Sequence, residues 1–533
     1  MGHFSFLEEK KNMDQSELLK AMQDPVFYPE HPSRVEILKT HISTLFVTDR
    51  FVYKVKKPVN FGFLDFTGLS ARKFFCEQEV LLNQRLSPNV YLDVVEIRKT
   101  GIGFTLAPGG AAVEYAVKMR RLPKDRMMDV LLQEGGIREE TIREIALLLI
   151  GFHSRAHTDP EIAIYGSPQR ISKNTEENFS QSESFVGACV SPEAYHRISD
   201  FTRRFIEQHA PLLRKRMQEN KIRDGHGDIR MEHICIEDPI VIFDCVEFNR
   251  RFRYIDVASD LAFLAMDLDF HEARGLSRHL VRTYVDYTHD LDLLKLIRFY
   301  KCYRAYVRGK VESFNYNDIY TSDEERKAAL ASAQAYFTLA DSYASSKPYL
   351  MIMTGLTGAG KTSVAEPLSR ELNAALFQSD RIRKELAGIP LEEHRFESFD
   401  QGIYSPEFTR RNYQTLMQKA EETLKKEQSV ILDATFLKRD DRMRACRIAE
   451  QIGVPFFIIE VTCPEQEVER RLSLRLQQAG VPSDGRWDIY QAQKQIAEPV
   501  TEVPTENYIR IDSSEKGDVV SRAEKEILFA VEA

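Results

Sequence analysis

The sequence predicts two units of different class: an α+β unit over residues 1–345, then an α/β unit with a mainly parallel sheet over residues 346–533. Three observations predict this. Short β-type runs crowd the text before residue 122 and mostly helical text follows Pro123, the order expected of an α+β unit. The helical pattern then stops at the small residues and proline of 342–348, which marks a junction. Beyond it, apolar runs at 349–354, 375–379, 429–434, 455–462 and 507–511 alternate with helical stretches, as in a parallel sheet with crossover helices. At 533 residues the chain is also too long for one ordinary core. No internal repeat is visible, so the pattern predicts a fusion of unlike units and not a duplication.

Taken in order, residues 1–40 are polar and read as helical with loose ends. Ser43-Thr44-Leu45-Phe46-Val47 and Phe51-Val52-Tyr53-Lys54-Val55 flank a polar turn at 48–50, which predicts a hairpin. Phe74, Phe75, Leu81, Leu82 and Leu86 recur near helical spacing and predict a helix over 70–86. Strands are expected at 91–98, 101–107 and 112–119. Helices are expected at 142–153 and 193–220, a loop with short strands at 224–245, and helices again over 256–345.

Composition excludes several classes. Hydrophobic residues at 43% and charged residues at 29% describe a folded globular chain, not a disordered or fibrous one. The net charge of −8 gives no general reason to expect nucleic-acid binding, though a local basic groove stays open. Seven scattered cysteines form no CxxC pair, so neither a disulfide framework nor a metal cluster is suggested, and a reducing cytoplasm is the expected location. No apolar run approaches the ~20 residues of a membrane helix, and the N-terminus lacks a signal-peptide core.

The strongest chemical motif is Gly355-Leu356-Thr357-Gly358-Ala359-Gly360-Lys361-Thr362, a P-loop that follows a predicted strand and opens a helix through Ser363. Its glycines let backbone N–H groups wrap phosphates, Lys361 reaches the terminal phosphates, and Thr362 can ligate magnesium. ATP and Mg²⁺ are therefore the expected cofactors. The next strand ends at Asp380, which could accept the proton of a substrate hydroxyl or simply cap the helix 381–386. Arg383, one turn on, could hold an anionic group. The strand at 429–433 ends in Asp433, a candidate magnesium residue through water. Arg470, Arg471 and Arg475 follow the next strand. Arg471 and Arg475 share a helix face, which suits either a lid over transferring phosphate or a solvated basic surface.

The first unit carries His226-Gly227-Asp228-Ile229-Arg230-Met231-Glu232-His233, then the apolar run Val241-Ile242-Phe243 ending in Asp244. A loop aspartate to take a hydroxyl proton, followed by a metal-binding aspartate after a short strand, is the arrangement of kinase catalytic loops. Asp228 reads alternatively as a turn former beside Gly227.

On these residues the C-terminal part resembles the P-loop kinases related to polynucleotide kinase, zeta toxin and chloramphenicol phosphotransferase. The matching pieces are the P-loop, Gln378–Lys384 (378–384), 430–436, 471–475 and 483–493. The resemblance implies Asp380 as base, Arg383 as substrate contact, Arg471 or Arg475 as lid arginine, and a small-molecule or nucleic-acid-end hydroxyl as acceptor. Residues 35–345 resemble aminoglycoside phosphotransferases and the protein-kinase-like fold. That implies a bilobal unit (N-lobe about 35–122, C-lobe about 123–345), with Lys54 on the ATP phosphates, Glu79 as its helix partner, and Met119 near the adenine hinge. It also implies Asp228 as base and Asp244 as magnesium ligand. Lys56 and Lys57 compete for the lysine role, since strand alternation puts Lys54 and Lys56 on one face. Two departures stand out: His233 occupies the place of the family's magnesium-binding asparagine, and 40–44 replaces a glycine-rich loop. The unit is thus expected to be either a second kinase or a nucleotide-sensing pseudokinase. The order of the two parts resembles bacterial proteins described as bifunctional aminoglycoside phosphotransferase/ATP-binding proteins. A nucleotide-driven switch is the competing expectation; no nucleophile elbow supports a hydrolase.

Overall fold

Two units are present in the computed structural model, Met1–Ala344 and Ser345–Ala533. The structure describes residues 16–531 apart from 63, 102, 319–320, 346, 391–400, 476–485 and 516–518.

The first unit begins with an antiparallel sheet of six strands in the order β1-β2-β3-β6-β4-β5: β1 Glu36–Lys39, β2 Ser43–Val47, β3 Phe51–Lys56, β4 Tyr91–Thr100, β5 Gly103–Thr105 and β6 Ala111–Arg120. The β2–β3 register pairs Leu45 with Lys54 and Val47 with Val52 across the short turn. β1 departs from the helical reading of 1–40: Glu36–Lys39 pair with the edge of β2, and Ile37 packs against the sheet's core. The helix α1 (Leu69–Asn83) joins β3 to β4 and ends three residues earlier than its apolar spacing suggests. β5 is shorter than the expected 101–107 run. Cys76 of α1, Tyr91 of β4 and Val117 and Met119 of β6 form one apolar cluster with Cys235 and Val241.

The rest of the unit is helical, with two small two-stranded sheets. β7 (Ile222–Asp224) pairs with β10 (Tyr254–Asp256), and β8 (Ile234–Cys235) pairs with β9 (Val241–Ile242). The expected helix 193–220 is two helices, Pro192–Gln208 and Ala210–Gln218. Pro211 has no N–H to continue a ladder and sits in the first turn of the second, where none is required. α2 (Glu139–Arg155), α3 (Pro168–Ser182), α4 (Val257–Phe270), α5 (Leu291–Asn317) and α6 (Asp323–Ala344) frame the helical part. α4 is apolar nearly all round, and all of its residues except Phe270 are buried. Its Phe263 and Met266 join Tyr306 of α5 and Phe337 of α6 in a single core.

The second unit is a five-stranded, wholly parallel sheet in the order β12-β13-β11-β14-β15. Its strands are β11 Leu350–Thr354, β12 Ala375–Gln378, β13 Val430–Asp433, β14 Phe456–Thr462 and β15 Tyr508–Asp512. β11 is buried along its whole length, as a central parallel strand must be when helices cover both faces. Alternation along it feeds two cores. Met351 and Met353 pack with Val364, Leu368 and Ile527. Leu350 and Ile352 pack on the other side with Ile382, Leu416 and Ala445. Truncating Ile352 to Ala is expected to cost about 2–5 kcal/mol for that reason. Among the described residues no helix is long and apolar enough to cross a membrane.

Candidate functional site

In the second unit, the C-terminal ends of three strands meet at one edge. Met353 of β11 and Gln378 of β12 are both in register with Asp433 of β13. In open α/β sheets, ligands bind at that edge where the strand order reverses. The loop after β11 runs into α7 (Lys361–Glu371), and Gly355, Gly358 and Gly360 have φ of +137°, +77° and +96°. These values are accessible to glycine and strained for other residues. Space also demands glycine: a Cβ on Gly355 would lie 2.3 Å from the Val461 carbonyl oxygen, and one on Gly358 2.8 Å from a Val468 methyl.

Lys361 is buried, and its Nζ donates to the carbonyls of Gly355 at 3.0 Å and Leu356 at 2.9 Å. The Thr357 N–H donates to Gln493 Oε1 at 2.8 Å, so at least one loop amide already faces a side-chain oxygen. Thr362 and Ser363 open the helix with exposed side chains. Thr362 Oγ1 donates to Asp433 Oδ2 at 2.7 Å, which brings the two candidate magnesium oxygens together. Burial pushes the Asp433 carboxyl above the usual range against the pull of Lys361 and Thr362, and the nearby Asp380 carboxylate pushes the same way. Asp380 itself is the second residue of α8 (Ser379–Ala387), whose N-cap is Gln378; it is not the capping residue.

Arg383 is also on α8 and is buried. Its Nη1 donates to the Ile403 carbonyl at 2.5 Å and to Thr409 Oγ1 at 3.1 Å, and its guanidinium lies 4.8 Å from the Tyr404 ring. Its Nε is buried and has no hydrogen-bond partner among the described residues. On α9 (Glu465–Arg475), Arg471 binds Glu467, the Ser513 hydroxyl at 2.8 Å and the Ser513 carbonyl at 3.0 Å. Its Nη1 would stand 3.2 Å from a Cβ on Gly360, so it lies against the loop. Arg470 instead pairs with Glu467 on an exposed face. The Arg475 side chain lies outside the described residues. Sequence reasoning gave no role to Ser513, which donates to the Ala359 carbonyl at 2.6 Å; nothing in its local sequence distinguishes it.

The first unit's candidates also converge. Lys54 Nζ lies 2.8 Å from Glu79 Oε1 and 2.8 Å from Asp244 Oδ1. Lys56 Nζ lies 2.6 Å from Glu79 Oε2 and also pairs with Glu247. Lys57 instead donates to the Thr40 carbonyl. Glu79 is thus shared by two buried lysines, and only Lys54 reaches Asp244. Met119 packs inside the apolar cluster of β6. Asp244 takes φ of +63°, and its N–H donates to the Tyr91 hydroxyl at 3.1 Å. Burial opposes its charge, yet Lys54 and His233 hold the carboxyl well below the usual range.

Asp228 is gripped from both sides of its carboxylate by Arg230, Nε to Oδ1 at 2.9 Å and Nη2 to Oδ2 at 3.1 Å. Burial again opposes the charge, and Arg230 with His233 overcomes it, so Asp228 is held ionised well below its ordinary value. His233 stands between the two aspartates, with Nδ1 2.9 Å from the Asp228 carbonyl and Nε2 3.7 Å from Asp244 Oδ2. The loop is held from α4: Asp260 accepts from the N–H groups of His226 and Gly227 at 2.7 and 2.8 Å, and Asp267 accepts from that of Met231 at 2.8 Å. Sequence reasoning missed Arg230, Glu247 and Asp267. Their partners are far off in sequence or set by a turn, with no spacing signal to find them. Among the described residues no group of three or more His, Cys, Asp and Glu is arranged to hold a metal ion.

Residues 350–500 match a family model described as an AAA domain. An uncharacterized protein of Mycobacterium tuberculosis is 28% identical over 431 residues, covering 80% of this chain and 83% of its own length, and an uncharacterized Mycobacterium bovis protein matches equally. Among solved structures, a putative kinase from Chloroflexus aurantiacus is similar at 17% identity and TM-score 0.29, covering 35% of this chain and 98% of that one. An APS kinase of M. tuberculosis in complex with AMPPNP and APS is similar at 21% identity and TM-score 0.25, covering 35% and 99%. A gluconokinase from Sinorhizobium meliloti is similar at 18% and 0.24, covering 35% and 93%.

Proposed function

We propose that residues 346–533 form an ATP-dependent kinase domain that moves the terminal phosphate of ATP to a hydroxyl of a small molecule or nucleic-acid end. The observation that carries this reading is the cluster at one sheet edge: a glycine-built phosphate loop, the Thr362–Asp433 oxygen pair, and Asp380 close enough to raise the Asp433 carboxyl. The residues present fit Mg·ATP. Loop N–H groups and Lys361 suit phosphate oxygens, and two adjacent oxygen donors suit magnesium, which keeps several waters and takes few protein ligands. Bound Mg·ATP supplies the phosphoryl group and neutralises part of its charge. Lys361 exchanges its backbone carbonyls for phosphate oxygens, Arg471 adds a cation beside Gly360, and Asp380 accepts the proton of the acceptor hydroxyl. Arg383, with Nε unused, holds an anionic part of the acceptor. A pure nucleotide switch needs no carboxylate at the Asp380 position, which favours transfer.

The reading extends to residues 1–345 as a second, bilobal kinase-like unit. Lys54 joined to both Glu79 and Asp244 is its main support. In it Lys54 binds ATP phosphates, Asp244 holds magnesium with His233 alongside, and Asp228 is the base once it is released from Arg230. Transfer from γ-labelled ATP to nucleic-acid 5′ ends, sugars and aminoglycosides tests both sites in the full chain. Lys361→Ala is expected to abolish one acceptor activity and Asp228→Asn another. Loss of neither activity defeats the two-kinase reading, and loss only with Lys361→Ala leaves the first unit regulatory.

A further inference from the structure

The helical part of the first unit contains a cleft, open to solvent, between the turn before α3, the segment after Asp244, and α5. Tyr165, Tyr254, Tyr300 and Tyr303 furnish aromatic walls, and Arg251 and Arg304 furnish charge. Arg304 is only 5% exposed. Its Nε donates to the Ser259 carbonyl at 3.3 Å and hydroxyl at 3.2 Å, and its Nη1 donates to the Gly227 carbonyl at 3.2 Å. Its Nη2 is buried and has no hydrogen-bond partner among the described residues. The guanidinium is braced 4.6 Å from the Phe263 ring. A desolvated cation with an unused N–H is costly to keep, and an anion placed against the guanidinium would offset that cost.

The cleft reaches the backbone of the loop that carries the candidate base through Arg304. Gly227, whose carbonyl Arg304 holds, directly precedes Asp228. A Cβ on Gly227 would also come 2.7 Å from the carbonyl oxygen of Phe252, another cleft residue. Arg308, one turn beyond Arg304 on α5, helps hold the Asp228 carboxyl down, and its Nε is likewise buried with no hydrogen-bond partner among the described residues.

The charge balance of the cleft is positive. Asp256, the one acidic lining residue among the described residues, is spent on Arg216, Nη2 to Oδ1 at 2.6 Å and Nε to Oδ2 at 2.5 Å, and on the Ala258 N–H. Arg251 pairs with Glu177 at 2.6 Å, where both are partly exposed and open to exchange. Nearby Lys310 is pushed down to about 8, by burial first and then by Arg251.

We propose that this cleft is the acceptor pocket of the first unit and takes a small hydroxylated anion, a compound bearing a carboxylate or phosphate, and not a polycation such as an aminoglycoside. The proposal rests on the kinase reading of this unit. The acceptor oxygen forms a bond to the terminal phosphorus of ATP, the bond from that phosphorus to ADP breaks, and the hydroxyl proton goes to Asp228. Arg304 anchors the anion and the tyrosines pack against the carbon frame.

Calorimetric titration of the full chain tests this, with Lys361→Ala present so that the P-loop contributes no anion binding. The probes are inorganic phosphate, glycerol 3-phosphate, D-gluconate and kanamycin. At least one anion is expected to bind with submillimolar Kd, at least tenfold more weakly in Arg304→Gln and severalfold more weakly in Arg251→Gln, and kanamycin is expected not to bind. The second variant guards against misfolding of the first. Absence of anion binding, equal binding in both variants, or preferential kanamycin binding overturns the proposal. Asp228-dependent transfer to kanamycin would overturn it and keep the kinase reading. Arginine-dependent anion binding with transfer indifferent to Asp228→Asn would support the pocket and remove that reading.

Discussion

The second unit's site is written mostly in one stretch of chain, whereas the first unit's is assembled from four. The P-loop, its lysine and its threonine occupy 355–362, Asp380 and Asp433 lie at or just past the ends of β12 and β13, and Arg471 comes from α9. Lys54, Glu79, Asp228 and Asp244 come from a strand, a helix and two loops; the first two and Asp244 meet in an ionic network in which Glu79 serves two lysines, and His233 stands between Asp244 and Asp228. The difference teaches where each site is vulnerable. A backbone-built site depends on glycine conformation and tolerates side-chain change around it. A side-chain-built site depends on charge balance, because a buried ion that loses its partner keeps its desolvation cost.

The largest expected effect lies in the second unit. Asp380→Asn should slow transfer by about 10²- to 10⁴-fold with little change in the KM for ATP, measured by initial rates on the preferred acceptor. An unchanged rate would assign the base elsewhere. Next, Lys56→Met should destabilise the first unit by about 3–5 kcal/mol, since Glu79 and Glu247 both lose a buried partner. Lys54→Met should cost less, because Glu79 keeps Lys56 and the Asp244 side chain is 40% exposed. Denaturant unfolding can separate the units: Trp487, the chain's one tryptophan, lies in the second unit, in the helix Trp487–Ile496. Circular dichroism should shift while the Trp487 transition stays in place. Equal losses from the two lysines would break the division of labour drawn here. Smaller again, Gly358→Ala should cost about 1–3 kcal/mol through its positive φ and the approach to Val468, and the Trp487 transition should move.

Legibility in the sequence follows the same contrast. β11 and β13 were readable because a buried parallel strand is a continuous apolar run, and the P-loop because its chemistry is contiguous. Asp433 was readable as the residue that ends such a run. Alternation correctly put Lys54 and Lys56 on one face, but only the fold assigns Asp244 to the first and Glu247 to the second. Ser513 and Gln493 reach the P-loop from distant segments, and Arg304 reaches Gly227 across 77 residues; neither kind of contact leaves a local pattern. β1 escapes a local reading because a four-residue run with two apolar residues fits strand and helix equally, and the break in 193–220 does so because the periodicity carries across it before Pro211.

Everything proposed for the second unit depends on the loop 355–362 holding Mg·ATP for phosphoryl transfer. Calorimetric titration of Mg·ATP into the full chain carrying Lys54→Met, with and without Lys361→Ala, tests it most directly. The Lys54→Met chain should bind one Mg·ATP, and adding Lys361→Ala should weaken that binding by about 10- to 100-fold. Affinity unaffected by Lys361→Ala would contradict the claim.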